Sequence, residues 1–427
     1  MGGGFVSRKL LFAVYCFIVL VFLLQAELKT LPLLEKDLHF EKIKKPIHGA
    51  TFRYDLAESS FSALSTYRGG AERLGQVTVL APEFSPFALK WKVAQLNNGI
   101  HRASKSSPAA DQDGFYVADD TGYVRAYDWQ GRLRWQFYNN VSSRGFHSTP
   151  LTDKSSLYIG DYAGYFYSLN KTTGKLRWIT KAGITVGSSP FLHDGRLYVG
   201  VELADPNGFL LALDARTGDW VWTSGLVGNH PHSSPSLDLQ HEQILMGSNT
   251  GALQAYDIKN GNTLWSFATR NDIKCAALVH KDLAYFVSWD GYFYAVHTPS
   301  GVLRWKTALD DGGMSCPSLS ADGQFLAVTG ARKNFVINAT NGLPLWSSEI
   351  LDRQARAQAS PLILSYQHQE VVLFLCENQA LCFHDLRSGR VLQKIKLESD
   401  FSSSPVYYEG HLLLATSGKD GLLVLTQ

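Results

Sequence analysis

The groups in this chain with reactive or metal-ligating chemistry are few: five cysteines, at 16, 275, 316, 376 and 382, and thirteen histidines. The cysteine count is odd and no CxxC pair occurs, so neither a zinc site nor a disulfide framework is indicated. Cys376 and Cys382 can pair only if they fall on neighbouring strands; the expectation is that they act as buried small hydrophobes. His147 and His232 invite a metal-ligand reading, but they lie far apart in the chain with no carboxylate partner in the pattern. No metal site is therefore expected. His230-Pro231-His232 immediately precedes Ser233-Ser234-Pro235 and reads as a connecting loop. No Asp or Glu can be assigned as a catalytic base. Asn140, Asn170 and Asn338 head N-x-S/T sequons, which matter only in a eukaryotic secretory pathway.

What positions these residues is an internal repeat. Trp91, Trp135, Trp178, Trp222, Trp265, Trp305 and Trp346 are spaced 40 to 44 residues apart. All but Trp91 close the phrase Gly-x-x-x-Trp, which begins at Gly131, Gly174, Gly218, Gly261, Gly301 and Gly342. A further copy, Gly389 to Gln393, keeps the frame and loses the ring. Four residues before the glycine stand Asn170, Asp214, Asp257, Asn338 and Asp385, each able to bond its own following backbone and fix a turn. Each repeat opens with a Ser-Ser-Pro-like phrase, at 106–108, 148–150, 188–190, 233–235, 276–278, 315–317, 359–361 and 403–405.

One repeat reads as four short strands. In the third, these begin at Ser188-Ser189-Pro190 and then cover Arg196 to Val199, Phe209 to Leu213 and Trp220 to Thr223. Asn207-Gly208, Asp290-Gly291 and Asp420-Gly421 are dipeptides that accept positive φ at hairpin turns. A unit of this size cannot bury both its faces alone, whereas stacking units around a ring does so. Eight openings predict eight blades. The chain enters the ring with a lone outer strand, residues 88–93, and ends at Gln427 where a third strand finishes. Residues 88–93 should therefore complete the last blade. The expected fold class is all-β: an eight-bladed propeller of four-stranded blades, preceded by one N-terminal membrane helix.

The phrase at 212–222, Ala-Leu-Asp-Ala-Arg-Thr-Gly-Asp-Trp-Val-Trp, resembles the tryptophan-docking motif of pyrroloquinoline-quinone (PQQ) repeat propellers. Asn170 to Trp178 is a second close match. The resemblance covers about residues 86–427. WD-repeat propellers share the period, but Trp289-Asp290 falls at an internal turn and not at a blade end. The PQQ-repeat family includes dehydrogenases that bind PQQ and calcium on the propeller axis. It also includes non-enzymatic scaffolds, of which the BamB-like subunit of outer-membrane protein assembly is the best known, and, more distantly, luminal domains of stress sensors. A dehydrogenase wants adjacent cysteines, a carboxylate base and oxygen ligands for calcium. No Cys-Cys pair is present and no base can be named. The expectation is a scaffold with no cofactor and an unidentified protein partner; the alternatives are a PQQ-dependent dehydrogenase and a luminal ligand-binding sensor.

A scaffold should present loops to that partner. Residues just before each opening phrase should ring one mouth of the channel: Lys105, His147, Gly187, His232, Cys275, Met314, Gln358 and Ser402. Lys274, Arg353 and Arg356 stand close by in sequence. Such a mouth is mildly basic and suits an acidic or extended peptide; the plainer reading is hydrated channel lining.

Residues 1–26 form the membrane-directed segment. Arg8 and Lys9 precede an uncharged run from Leu10 to Leu24, a basic flank and an apolar core. The run is short against the about 20 residues of a full span. Both a cleaved signal peptide and an uncleaved anchor fit; bulky Leu24 beside the candidate cut after Ala26 favours the anchor. The basic flank places the N-terminus in the cytoplasm and the propeller on the extracytoplasmic side. Cys16, preceded by Tyr15 and followed by more apolar residues, does not suit lipidation. Residues 27–85 read as a tether and an irregular segment. With 40 basic against 38 acidic residues, net charge +2, the chain gives no electrostatic reason to bind nucleic acid.

Overall fold

The computed structural model describes residues 51–53, 65–93, 96, 106–140, 144–204, 207–228, 230–310, 313, 315–350, 359–377, 380–399, 403–416 and 420–427. The apolar run 10–24, with its expected membrane helix, lies outside the described residues. No helix among them is long and apolar enough to cross a membrane.

The described strands form eight separate sheets, in each of which consecutive strands pair antiparallel. Blade three shows the pattern. Phe191–His193 pairs with Arg196–Glu202, that strand with Asn207–Asp214, and that with Trp220–Thr223. The middle strands are buried on both faces, as in Leu210 to Leu213, whereas the outer strand alternates. That alternation follows from position, since the outer strand has a neighbouring blade on one side and solvent on the other. Ring closure is as expected: Ala88–Val93 pairs antiparallel with Leu422–Thr426 in blade eight, Ala88 opposite Thr426.

Two devices repeat around the ring. On the outside, a tryptophan from one blade docks on the turn of the next. The indole N–H donates to a backbone carbonyl one residue past the Asp/Asn position: Trp135 to Lys171, Trp178 to Ala215, Trp222 to Ile258, Trp265 to Thr298, Trp305 to Ala339 and Trp346 to Leu386, at 2.6 to 3.2 Å. The next blade's repeat glycine sits flat on the same ring. A Cβ at Gly261 would lie 2.5 Å from Trp222, and the glycine's φ of +76° is one that side chains rarely adopt. Trp91 meets Gly131 in the same way. The turn aspartates act as their spacing implies; Asp214, for example, accepts from the Arg216 and Thr217 N–H groups.

On the inside, the second residue of six of the eight opening phrases joins blade to blade. Its N–H donates to the side chain of the equivalent residue in the next blade: Ser107 to Thr149, Thr149 to Ser189, Ser189 to Ser234, Ala276 to Cys316, Cys316 to Ser360, and Ser404 back to Ser107. This ring corrects the opening phrase of blade five. It is Cys275-Ala276-Ala277, not 276–278, because Ala276 occupies the linking position. Cys275 is thus part of the phrase and does not precede it.

Two further expectations change. Asn207-Gly208 begins a strand, where its backbone pairs with Val227–Gly228, and Gly208 has no positive φ; Gly291 and Gly421 do, at +85° and +60°. Cys376 and Cys382 form a disulfide between two neighbouring strands of blade seven. Their strand neighbourhood, which the sequence spacing alone left open, decides the pairing.

Candidate functional site

The innermost strands line a channel, and residues 65–79 of the chain itself lie inside it. The segment visits the blades in order, mostly through backbone atoms. Ser65 exchanges backbone bonds with Thr152 of blade two, and the Thr66 hydroxyl donates to the Pro190 carbonyl of blade three. The carbonyls of Ala71, Glu72, Leu74 and Gly75 then accept, in turn, from Leu237, Val279, Leu319 and Ile363 of blades four to seven. Gln76–Thr78 finally adds a parallel fifth strand beside Leu362–Ser365. Phe84 and Phe87 pack on Phe383, and the chain passes into the outer strand of blade eight. At the periphery, Thr51–Arg53 adds a fifth strand to blade two, beside the strand that carries Trp178.

Two arginines hold the inner segment. Arg73 is fully buried and donates to the carbonyls of Pro235, Ser189, Pro190 and Tyr67 and to the Thr66 hydroxyl. Arg68 donates to the carbonyls of Pro361 and Pro317 and to the Ser318 hydroxyl, at 2.6 to 2.7 Å. Burial pulls both guanidinium pKa values down, Arg73 to about 10. Neither has a carboxylate within ion-pair distance among the described residues. Carbonyls do the solvating instead, and a buried charge stands only when its hydrogen bonds are satisfied. Gly75 makes room, for a Cβ there would lie 2.0 Å from the Arg68 guanidinium.

A cavity of about 600 Å³ remains beside the segment, lined by Tyr67, Arg68, Thr78, Ser107, Ser404 and Tyr407 among others. No carboxylate of the described residues lines it. No group of three His, Cys, Asp or Glu among the described residues could hold a metal ion. The described axial residues therefore do not fit a quinone with its calcium: the oxygen-donor set is missing, and residues 65–79 take up the space.

The sequence-named mouth residues divide. Lys105, Arg353, Arg356 and Gln358 lie outside the described residues. His147 is buried and packs against Tyr162, with tilted rings whose centroids are 4.0 Å apart. His232 Nδ1 lies 2.9 Å from Glu202, which also faces His230 at 3.3 Å. Glu202 is thus the carboxylate partner that the repeat pattern did not show, because it comes from the neighbouring strand end of blade three. Lys274 lies 3.2 Å from Asp272 and 3.8 Å above the Trp289 ring, held by local contacts and not extended into solvent. Sequence reasoning missed Tyr67, Arg68 and Arg73. Their only signal was a Gly-rich stretch, Arg68-Gly69-Gly70 to Gly75, outside any period.

The family described as "Outer membrane protein assembly factor BamB", a PQQ-repeat family, matches residues 120–275 and 274–426. The chain belongs to this PQQ-repeat propeller family. A relative from Yersinia pestis, outer membrane protein assembly factor BamB, is 26% identical over 245 residues, 52% of this chain and 61% of the relative. The chain thus spans less than two thirds of the length of that relative. Among solved structures, BamB from Moraxella catarrhalis superposes with a TM-score of 0.62 at 15% identity, covering 80% of this chain and 98% of that one. A europium-containing methanol dehydrogenase superposes with a TM-score of 0.70 at 11% identity, covering 86% and 98%. BamB and a methanol dehydrogenase thus share this fold, and the fold alone does not separate them.

Proposed function

We propose that this protein is an extracytoplasmic binding platform, held at a membrane by its N-terminal segment, that engages other proteins in the manner of the BamB-like members of its family. The relatives' role in outer-membrane protein assembly supports an envelope setting. The observation that carries the reading is the lodging of residues 65–79 in the channel, tied to the blades through Arg68 and Arg73. The inner ring is a structural core, so recognition falls to the loops and outer surfaces. The mouth around Lys105, His147, His232, Lys274, Arg353, Arg356 and Gln358 is the proposed contact surface, in which His147 is buried and Lys274 is held by Asp272 and Trp289, with an acidic or extended peptide as the matching chemistry.

The test is crosslinking of the full chain in cells, followed by identification of the captured partner. Lys274→Ala and Arg356→Ala together should reduce the captured partner several-fold while the protein's level stays unchanged; unchanged capture would make the mouth channel lining. A purified protein that reduces an acceptor dye only with added PQQ and calcium would overturn the platform reading itself.

A further inference from the structure

The inner ring of blade-to-blade bonds is chemically uneven. At five of its six described links the acceptor is a hydroxyl, from Thr149, Ser189, Ser234, Ser360 or Ser107. Between blades five and six it is the Cys316 sulfur, which takes the Ala276 N–H at 3.1 Å. A neutral thiol is a weak acceptor. Yet two groups meet this one, the Ala276 N–H and the Tyr67 hydroxyl, the latter at 3.5 Å. Cys275 is the first residue of its phrase, and its own sulfur lies 3.3 Å from the Ala276 carbonyl. Both sulfurs, one from each of two adjacent blades, therefore sit against the backbone of Ala276, and both cysteines are free and buried.

The charge around them is also one-sided. Arg68 is the nearby buried cation without a carboxylate, and Tyr67 precedes it in the segment that fills the channel. Arg73 and Glu72 complete the charged groups of that segment. Burial pushes the Cys316 thiol up, but the hydrogen bond from Cys275, the Arg68 charge and the bonds from Tyr67 and Ala276 outweigh it, and its pKa falls below the ordinary thiol value. Cys275 moves the other way, because its hydrogen bond to Cys316 and its burial both favour the neutral thiol.

We propose that Cys275 and Cys316 form a redox-active dithiol on the propeller axis, with Cys316 as the attacking thiolate and Cys275 as the resolving thiol, and with a small peroxide as oxidant. The Cys316 thiolate attacks one peroxide oxygen; the S–O bond forms, the O–O bond breaks, and hydroxide leaves. The sulfur of Cys275 then attacks the Cys316 sulfenic acid. The S–S bond forms, the Cys316 S–O bond breaks, and the sulfenic hydroxyl leaves with the Cys275 proton as water. Two thiols are oxidised and one peroxide is reduced. The product would join blade five to blade six covalently beneath Tyr67, independently of what the outer surface binds.

The test uses the full-length chain, reduced and then treated with hydrogen peroxide, followed by alkylation, digestion and mass spectrometry. The expected result is a peptide pair linked through 275 and 316 and lighter by two hydrogens. Cys275→Ser should stop at a sulfenic acid trapped by dimedone. Cys316→Ser, which restores the hydroxyl found elsewhere in the ring, should consume no peroxide at this site. Thiolate ultraviolet absorbance, which needs no access to the sulfur, should be higher in the native protein than in Cys316→Ser at neutral pH and should fall on acidification. Two unmodified thiols after peroxide, or no absorbance difference, would overturn the proposal.

Discussion

The outer ring of docked tryptophans and the inner segment 65–79 both tie blades together, but by opposite means. Each outer contact is made by one side chain on one turn and is repeated from blade to blade: indole N–H to carbonyl, indole face to glycine. The inner segment meets four successive blades through its own carbonyls and uses side chains mainly at Arg68 and Arg73. The periodic device distributes its stability in small equal parts, as expected of stacked repeats. The single-copy device concentrates it, so that one residue answers to several blades at once.

The sharpest way to break this contrast is Arg73→Ala. It removes donors from carbonyls of blades three and four and from the segment's own turn. Those groups are left buried, and the expected loss is about 3–5 kcal/mol in denaturant unfolding, at the level of a broken buried charge network. A loss below that of a single docking contact would mean the segment is a passenger and not a tie. Next comes Gly261→Ala, which tests one link of the outer ring. Its φ of +76° and the 2.5 Å approach to Trp222 require either backbone strain or ring movement. The cost should be about 2–3 kcal/mol, confined to the joint between blades three and four by hydrogen exchange.

The smallest effect compares two equivalent turns, each between the second and third strands of its blade. Asp119 in blade one pairs with Arg125, whereas Asp161 in blade two has Tyr167 at the equivalent place and no cation. Burial raises the Asp161 pKa to about 6, against the hydrogen bonds from Tyr167, Tyr165, Ala163 and Asn139. The folded state then holds a proton that the unfolded chain releases near about pH 4. The contribution is fully present below that value and is lost as pH rises through about 6. Asp161→Asn should flatten the stability profile over that window by on the order of 1 kcal/mol, read from unfolding at stepped pH. An unaltered profile would place the titration elsewhere.

The sequence made the outer device legible because its chemistry recurs. Gly174, Gly218 and Gly261 could be aligned with their tryptophans before any contact was known, and the Asp/Asn four residues upstream carried the turn. Closure by residues 88–93 was legible by counting. The opening of blade five was misplaced by one residue because Cys275 and Ala276 carry none of the Ser-Ser signal. Glu202 was invisible as the partner of His232 because the two are joined by blade geometry and not by spacing.

The sequence by itself determined the repeat unit, the number of blades and where the ring closes, since a unit with two apolar faces has to stack and its stacking residues recur at a fixed interval. Only the tertiary structure decided what fills the centre. Backbone carbonyls are the same in every residue, so a segment that binds through them leaves no pattern to read. The fate of Arg68, Cys275 and Cys316 was set by which blades curve around the same axis.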